Sequence, residues 1–200
     1  NGVYFATSNS IITDGGNIYI YGETNATAAD GVFFASSTTL NSGTGTISIY
    51  GRNTQTTASD SGGVVFSNNS HSITSASTYH QAISIDGDGG RKSILLNDVS
   101  LNATGTGGGI ELQTHTATTY GILMYGDTEI LATSGYIRLF TAGAFSTDFY
   151  MNPSSVFLGS KASSAVTSSS SNITIRADSF DFNGFNPAIA TSGTFTLEPV

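Results

Sequence analysis

A three-part apolar pattern that returns about every thirty residues constrains this chain more than any other feature. The first part, Ile-x-Ile/Leu, occurs at Ile18/Ile20, Ile47/Ile49, Ile83/Ile85, Ile110/Leu112, Ile137/Leu139 and Ile173/Ile175, with Phe195/Leu197 as a seventh copy. The second, often introduced by Gly, occurs at Val3/Phe5, Val32/Phe34, Val64/Phe66, Ile94/Leu96, Ile122/Met124, Phe149/Met151 and Phe180/Phe182. Its first positions are 29, 32, 30, 28, 27 and 31 residues apart. A shorter apolar spot lies between them at Ile12, Leu40, Ile73, Val99, Ile130, Val156 and Ile189. Three series with the same copy number and one shared order define a repeat protein.

A spacing of two is the strand period, because successive side chains on a strand point to opposite faces. Leucine-rich and helical repeats need other spacings. A single copy of three short strands cannot bury its inward residues, but stacked copies can, with backbone hydrogen bonds running from winding to winding. The predicted fold is therefore all-β: a right-handed parallel β-helix (β-solenoid) of about seven coils, roughly 27–36 residues each, with three short strands per coil. At ~4.8 Å per coil this is a rod about 34 Å long. The length variation falls in turns such as Ser61-Gly62-Gly63 and Ser168 to Ser171, where added residues cost little. An antiparallel sandwich also suits short strands and Gly-rich turns, but it does not explain the regular three-part order.

Composition agrees. The chain has 24 Gly, 3 Pro and no Cys, with only 10% charged residues and a net charge of -8. Without Cys there is neither a disulfide framework nor a thiolate metal site. Six Lys and Arg residues, of which only Arg91-Lys92 are adjacent, do not make a nucleic-acid surface, which must meet phosphates with cations. No apolar run approaches the ~18 residues of a transmembrane segment. Residues 1–200 read as a single solenoid segment, expected to be a fragment of a longer repeat protein or a subunit that stacks end to end. Val3 and Leu197 lie directly on core strands, and solenoids need caps to stay soluble.

The phrases Gly16-Asn17-Ile18-Tyr19-Ile20-Tyr21-Gly22 and Gly45-Thr46-Ile47-Ser48-Ile49-Tyr50-Gly51 resemble the G-N-I-x-I-x-G repeats of filamentous haemagglutinin-type adhesins. Asp30-Gly31-Val32-Phe33-Phe34 and Tyr120-Gly121-Ile122-Leu123-Met124 resemble that family's G-V-x-L/F strand. The resemblance covers essentially the whole chain through degenerate repeats. It implies a β-helical rod exported by two-partner secretion or an autotransporter route, located outside the cell or on the bacterial surface. The implied roles are adhesion, aggregation or a structural place in surface filaments. The Asn-Pro-Asn motifs of the family's secretion domain are missing, since Asn152-Pro153 and Asn186-Pro187 are followed by Ser154 and Ala188. The segment would then be shaft.

Candidate contact residues follow from the outward positions. In the Gly-Val strand these are Tyr4, Phe33, Val65, Leu95, Leu123, Tyr150 and Asp181, six of them apolar where a solvated strand should be polar. Such a strand is normally covered on both faces, so Tyr4, Phe33, Val65, Leu95, Leu123 and Tyr150 form a candidate contact stripe for another rod or a covering segment. A stack held only by neighbour contacts, at ~0.2–1 kcal/mol per pair, is the alternative. Tyr21 and Tyr50 should stack in one column, as a structural ladder or as a platform for sugar faces. Glu111 and Arg138 should pair across adjacent coils. Sequons begin at Asn25, Asn68, Asn102 and Asn172, of which most are expected to be chance matches in an Asn/Thr-rich chain.

Catalysis has little support in the sequence. Polysaccharide lyases and hydrolases on this fold need gathered carboxylates. The only close pair is Asp86/Asp88, in the acidic Gly-rich stretch Asp86 to Arg91, read as a turn without the later ligands of a calcium loop. His71, His80 and His115 lack metal-ligand spacing and read as surface loop positions. Thr-rich stretches such as Thr114 to Thr119 differ in spacing between coils, which argues against a flat ice-binding array. The expectation is a non-enzymatic adhesin or filament shaft that uses no cofactor and no metal. Its expected partners are further copies of itself, or cell-surface glycans or proteins. A β-helical polysaccharide-binding or polysaccharide-degrading protein is the alternative.

Overall fold

The computed structural model describes residues 1–55, 61–67, 69–117, 119–143, 146–152, 157–158, 160–162, 165–167, 170–182 and 188–200. The described residues are all-β, with three seven-stranded parallel sheets and one short hairpin. Sheet A comprises Val3–Phe5, Val32–Phe34, Gly62–Phe66, Lys92–Asn97, Tyr120–Tyr125, Thr147–Asn152 and Phe180–Phe182. Sheet B comprises Asn9–Ile12, Thr38–Asn41, His71–Ser75, Val99–Ala103, Glu129–Ala132, Phe157–Leu158 and Ala188–Ile189. Sheet C comprises Ile18–Thr24, Ile47–Asn53, Gln81–Gly89, Gly109–Thr114, Tyr136–Thr141, Asn172–Arg176 and Phe195–Glu198. The chain visits A, B and C in turn, so it is a parallel β-solenoid with three strands per coil.

The coil count is less uniform than seven equal windings. Among the described residues, five successive windings of one strand from each sheet run from Val3 to Thr141. Beyond them the antiparallel hairpin Ser160–Ala162/Ala165–Thr167 is inserted before sheet C resumes. The described strands of this later stretch bring each sheet to seven.

Register sets the core. Val3, Val32, Val64, Ile94, Ile122, Phe149 and Phe180 are successive partners in sheet A. Ile18, Ile47, Ile83, Ile110, Ile137, Ile173 and Phe195 are successive partners in sheet C. Parallel stacking without offset puts like residues over like, so Phe5, Phe34 and Phe66 lie face to face, with centroids 4.6 and 4.3 Å apart and planes within 8°. Each fully buried aliphatic or aromatic side chain contributes about 1.5–3 kcal/mol relative to exposure.

Glycine closes one corner of the coil. Gly22, Gly51 and Gly87 are register partners in sheet C, and each faces backbone at the start of the next sheet A strand, that of Gly31, Gly63 and Ser93 respectively. A Cβ on Gly51 would lie 2.6 Å from the Gly63 carbonyl carbon and 2.8 Å from a Val64 methyl, and closer still to the Gly63 oxygen. In the next two windings Thr114 and Thr141 occupy this column.

Sheet B corrects one expected core position, Ile12, and refines the register of another, Val99, which is buried as expected. Ile11, not Ile12, pairs with Leu40 on the inward column, and Ile12 is 67% exposed. The doublet leaves the face undetermined in sequence, and a one-residue slip reverses every side chain. Leu101, two residues past the expected Val99, continues the Leu40–Ile73 column, while Val99 is buried one position earlier, beside His71. Leu158 follows Ile130 in that column; Val156 lies outside the described residues.

His71 is also not a surface loop residue. It sits buried at the start of its strand, with its ring edge-on to Phe66 at 5.2 Å and its Nε2 3.1 Å from the Ser67 carbonyl oxygen. Burial lowers its pKa from the usual 6.5, and the Ser67 carbonyl and Asp98 oppose this. Below ~6.5 the unfolded chain therefore takes up a proton that the folded chain resists, so this contribution to stability is present at neutral pH and is lost on acidification. The expected result is a urea midpoint that falls between pH 7.5 and pH 5, with a smaller fall in His71→Leu. Equal falls in both proteins would show that His71 is not the group responsible.

Candidate functional site

Sheet C carries the chemistry on its outward face. One outward column holds Tyr19, Ser48, Ser84, Glu111 and Arg138 in register; the next holds Tyr21, Tyr50 and Asp86; the third holds Glu23, Arg52 and Asp88. Tyr21 and Tyr50 stack as expected, with centroids 5.2 Å apart and planes 7° from parallel. The Tyr21 hydroxyl donates to Glu23 Oε2 at 2.7 Å. That bond, with a smaller desolvation effect, raises the Tyr21 pKa. Burial raises the pKa of Tyr50, and Asp88 and Asp86 add to the effect.

Below the stack is a charged ladder. Arg52 spans two windings, with Nη1 3.6 Å from Glu23 Oε1 and Nε 3.2 Å from Asp88 Oδ2. Thr116 Oγ1 donates to Asp88 Oδ1 at 2.5 Å. His115 Nε2 lies 3.1 Å from Asp86 Oδ1. Desolvation raises the pKa of Asp86, partly offset by His115. Asp86 and Asp88 are thus not in a turn. They continue the strand Gln81–Gly89, because pairing with Ile47–Asn53 persists to Gly89; the turn begins there, where Gly89 and Gly90 have φ of 86° and 71°. Among the described residues no group of three or more His, Cys, Asp or Glu side chains could hold a metal.

A second network lies across the same sheet. Arg138 Nη1 is 3.8 Å from Glu111 Oε2, the cross-coil pair expected from sequence, and its guanidinium sits 4.3 Å from the Tyr136 ring centroid. Glu111 is only 8% exposed and also accepts a 2.7 Å hydrogen bond from Gln81 Nε2. Tyr136 holds the His80 ring edge-on at 4.2 Å. Burial pushes the Tyr136 hydroxyl up to about 12, with Glu111 adding and Arg138 opposing. His80 and Gln81 of this network, with the neighbouring Tyr79, border a groove with Asn17, Thr46 and Ser48, about 430 Å³ in volume.

The expected contact stripe forms one column on sheet A: Tyr4, Phe33, Val65, Leu95, Leu123 and Tyr150 are successive partners. Its middle is closed off. Val65, Leu95 and Leu123 are 5, 9 and 3% exposed, and Phe33, Tyr120, Tyr125 and Tyr150 pack against them in a second apolar cluster. Among the sequons, Asn25 is exposed, Asn102 is half-buried within a sheet B strand, and Asn68 lies outside the described residues. Asn172 is exposed, but its Oδ1 accepts the Thr194 amide at 2.9 Å, as Asn17 Oδ1 accepts that of Thr46. Both Asn side chains tie a winding to its successor.

These features define the class, a parallel β-solenoid with aromatic and charged ladders on one face. Comparison with known proteins found no matching family model, no matching curated protein and no matching solved structure. Among the described residues no helix is long and apolar enough to cross a membrane.

Proposed function

We propose that this chain is a non-enzymatic shaft segment of an exported bacterial surface adhesin or filament, acting by contact. The observation that carries the reading is the set of aromatic side chains that sheet C and its neighbouring turn leave to solvent. Tyr19, Tyr21 and Tyr79 are 69, 49 and 74% exposed. Tyrosine joins an apolar ring to a hydrogen-bonding tip, which suits it to contact surfaces. The resemblance of the Gly16–Gly22 and Gly45–Gly51 phrases to filamentous haemagglutinin-type repeats supports the same reading and an extracellular or cell-surface location. Contacts would be made with cell-surface glycans or proteins, or with other copies of the rod. The test is adherence of beads coated with the purified chain to cultured epithelial cells. Binding should exceed that of beads carrying a Tyr19→Ser/Tyr21→Ser/Tyr79→Ser variant; equal retention would remove the tyrosine face from the account.

The Asp86–His115 and Asp88–Arg52 pairs favour a second reading, a polysaccharide-degrading enzyme. A desolvated carboxyl beside a stacked aromatic pair is a setting in which acid–base chemistry on a sugar is feasible. Incubation with neutral and acidic polysaccharides, followed by reducing-end analysis, separates the two. Cleavage that disappears in Asp86→Asn would replace the contact reading with the enzymatic one.

A further inference from the structure

We propose that the groove along the corner between sheets B and C binds a neutral glycan chain. The proposal rests on the contact reading and names its ligand class. The floor and walls differ in height: Ser48 and Ser84 are small outward residues in a column flanked by Tyr19 on one side and Glu111 on the other. Asn17, Thr46, Tyr79, His80 and Gln81 border the groove with Ser48. Its volume of about 430 Å³ lies within the ~300–1,000 Å³ of small-ligand clefts.

The lining is mostly tied down from behind. Gln81 is held by Glu111, which is paired with Arg138; His80 rests on Tyr136; Asn17 is held by the Thr46 amide. The Tyr79 amide donates to the Ser77 hydroxyl at 3.1 Å, fixing the turn that carries the most exposed of these rings. Little side-chain freedom is lost when such a surface takes a ligand.

The chemistry selects the ligand. The C–H faces of a pyranose are apolar and match the rings of Tyr79 and Tyr19, while its edge hydroxyls match Asn, Gln, Ser and Thr groups that both donate and accept. Among the described residues bordering the groove with Ser48 none is Asp, Glu, Lys or Arg; Glu111 farther along the column is engaged by Gln81 and Arg138, and the chain's charge of -8 opposes polyanions.

The experiment titrates the purified chain with cellohexaose, maltohexaose and chitohexaose, with polygalacturonate as the acidic comparator, by calorimetry. Tyrosine emission gives a second readout in a protein with 9 Tyr and no Trp. At least one neutral hexasaccharide should bind and polygalacturonate should not. Tyr79→Ala and Ser48→Tyr, which remove a wall and fill the floor, should each weaken binding by at least ~10-fold, with Tyr4→Ala on sheet A without effect. Unchanged melting midpoints check that the variants fold. Binding that survives both groove changes but is lost in Tyr21→Ala overturns the groove and leaves the contact reading standing. Failure of all three neutral hexasaccharides, or binding of polygalacturonate alone, overturns the groove, and adherence of the coated beads then decides the contact reading separately.

Discussion

Gly51→Val is expected to destabilise the solenoid by about 3 kcal/mol or more, the upper end of what overpacking costs. The position has no room to yield, because the obstacle is the Gly63 backbone rather than the end of a flexible side chain. Relief would require sheets A and C to move apart at that corner, which would disturb the adjoining Ile49 and Val64 core positions. Gly16→Ala is the control. A Cβ there would meet nothing nearer than Thr13 Cβ at 3.5 Å, so a change within about 0.5 kcal/mol is expected. Urea titration of both variants checks the contrast, and equal midpoints would mean that the corner is not close-packed.

Phe66→Ala should cost about 3–5 kcal/mol, the range for truncating a buried aromatic ring. Phe66 is fully buried; it stacks on Phe34 and meets the edge of the His71 ring. Truncation opens a cavity in the third winding, with Leu96 the next residue of the column on the far side. In a solenoid each coil touches only its neighbours, so the damage should be local. Hydrogen exchange should speed up for amides in strands Val32–Phe34, Gly62–Phe66 and Lys92–Asn97, and much less for Asn172–Arg176. Uniform loss of protection along the chain would contradict the one-dimensional stack.

The fold was legible in the sequence because its core is periodic. Aligning the copies on the Ile-x-Ile doublet places the buried sheet C doublets from Ile18/Ile20 to Ile173/Ile175 and predicts the Tyr21–Tyr50 stack and the Glu111–Arg138 pair, whereas the seventh doublet, Phe195/Leu197, is in register but 42 and 49% exposed. Sheet B was less legible, since Ile11-Ile12 offers two apolar neighbours and only pairing with Leu40 selects the inward one. His71 was misplaced because a polar side chain can fill an apolar column when its ring meets aromatic edges and one nitrogen finds a carbonyl.

The charged ladder was in principle readable. Glu23, Arg52 and Asp88 each stand three residues after the second Ile of their doublet, the same alignment that revealed Glu111 and Arg138. A search for acids close together along the chain misses it, because the solenoid gathers residues about thirty apart. The groove could not be read this way. It depends on the turn carrying Tyr79 and His80 folding beside the short side chain of Ser48, and turn conformation varies between windings. The closed middle of the sheet A stripe likewise depends on the Tyr120 and Tyr125 rings, which follow from no repeat position.

Pairs of spin labels in the outward column of sheet C test the stacking most directly. With one label at Tyr19 and the second in turn at Arg138, Thr174 and Thr196, the distances should step through about 19, 24 and 29 Å, one strand spacing of ~4.8 Å per winding. Distances that fail to rise in that order, as in an antiparallel sandwich, would contradict a stack of parallel windings and remove the face on which both functional proposals rest.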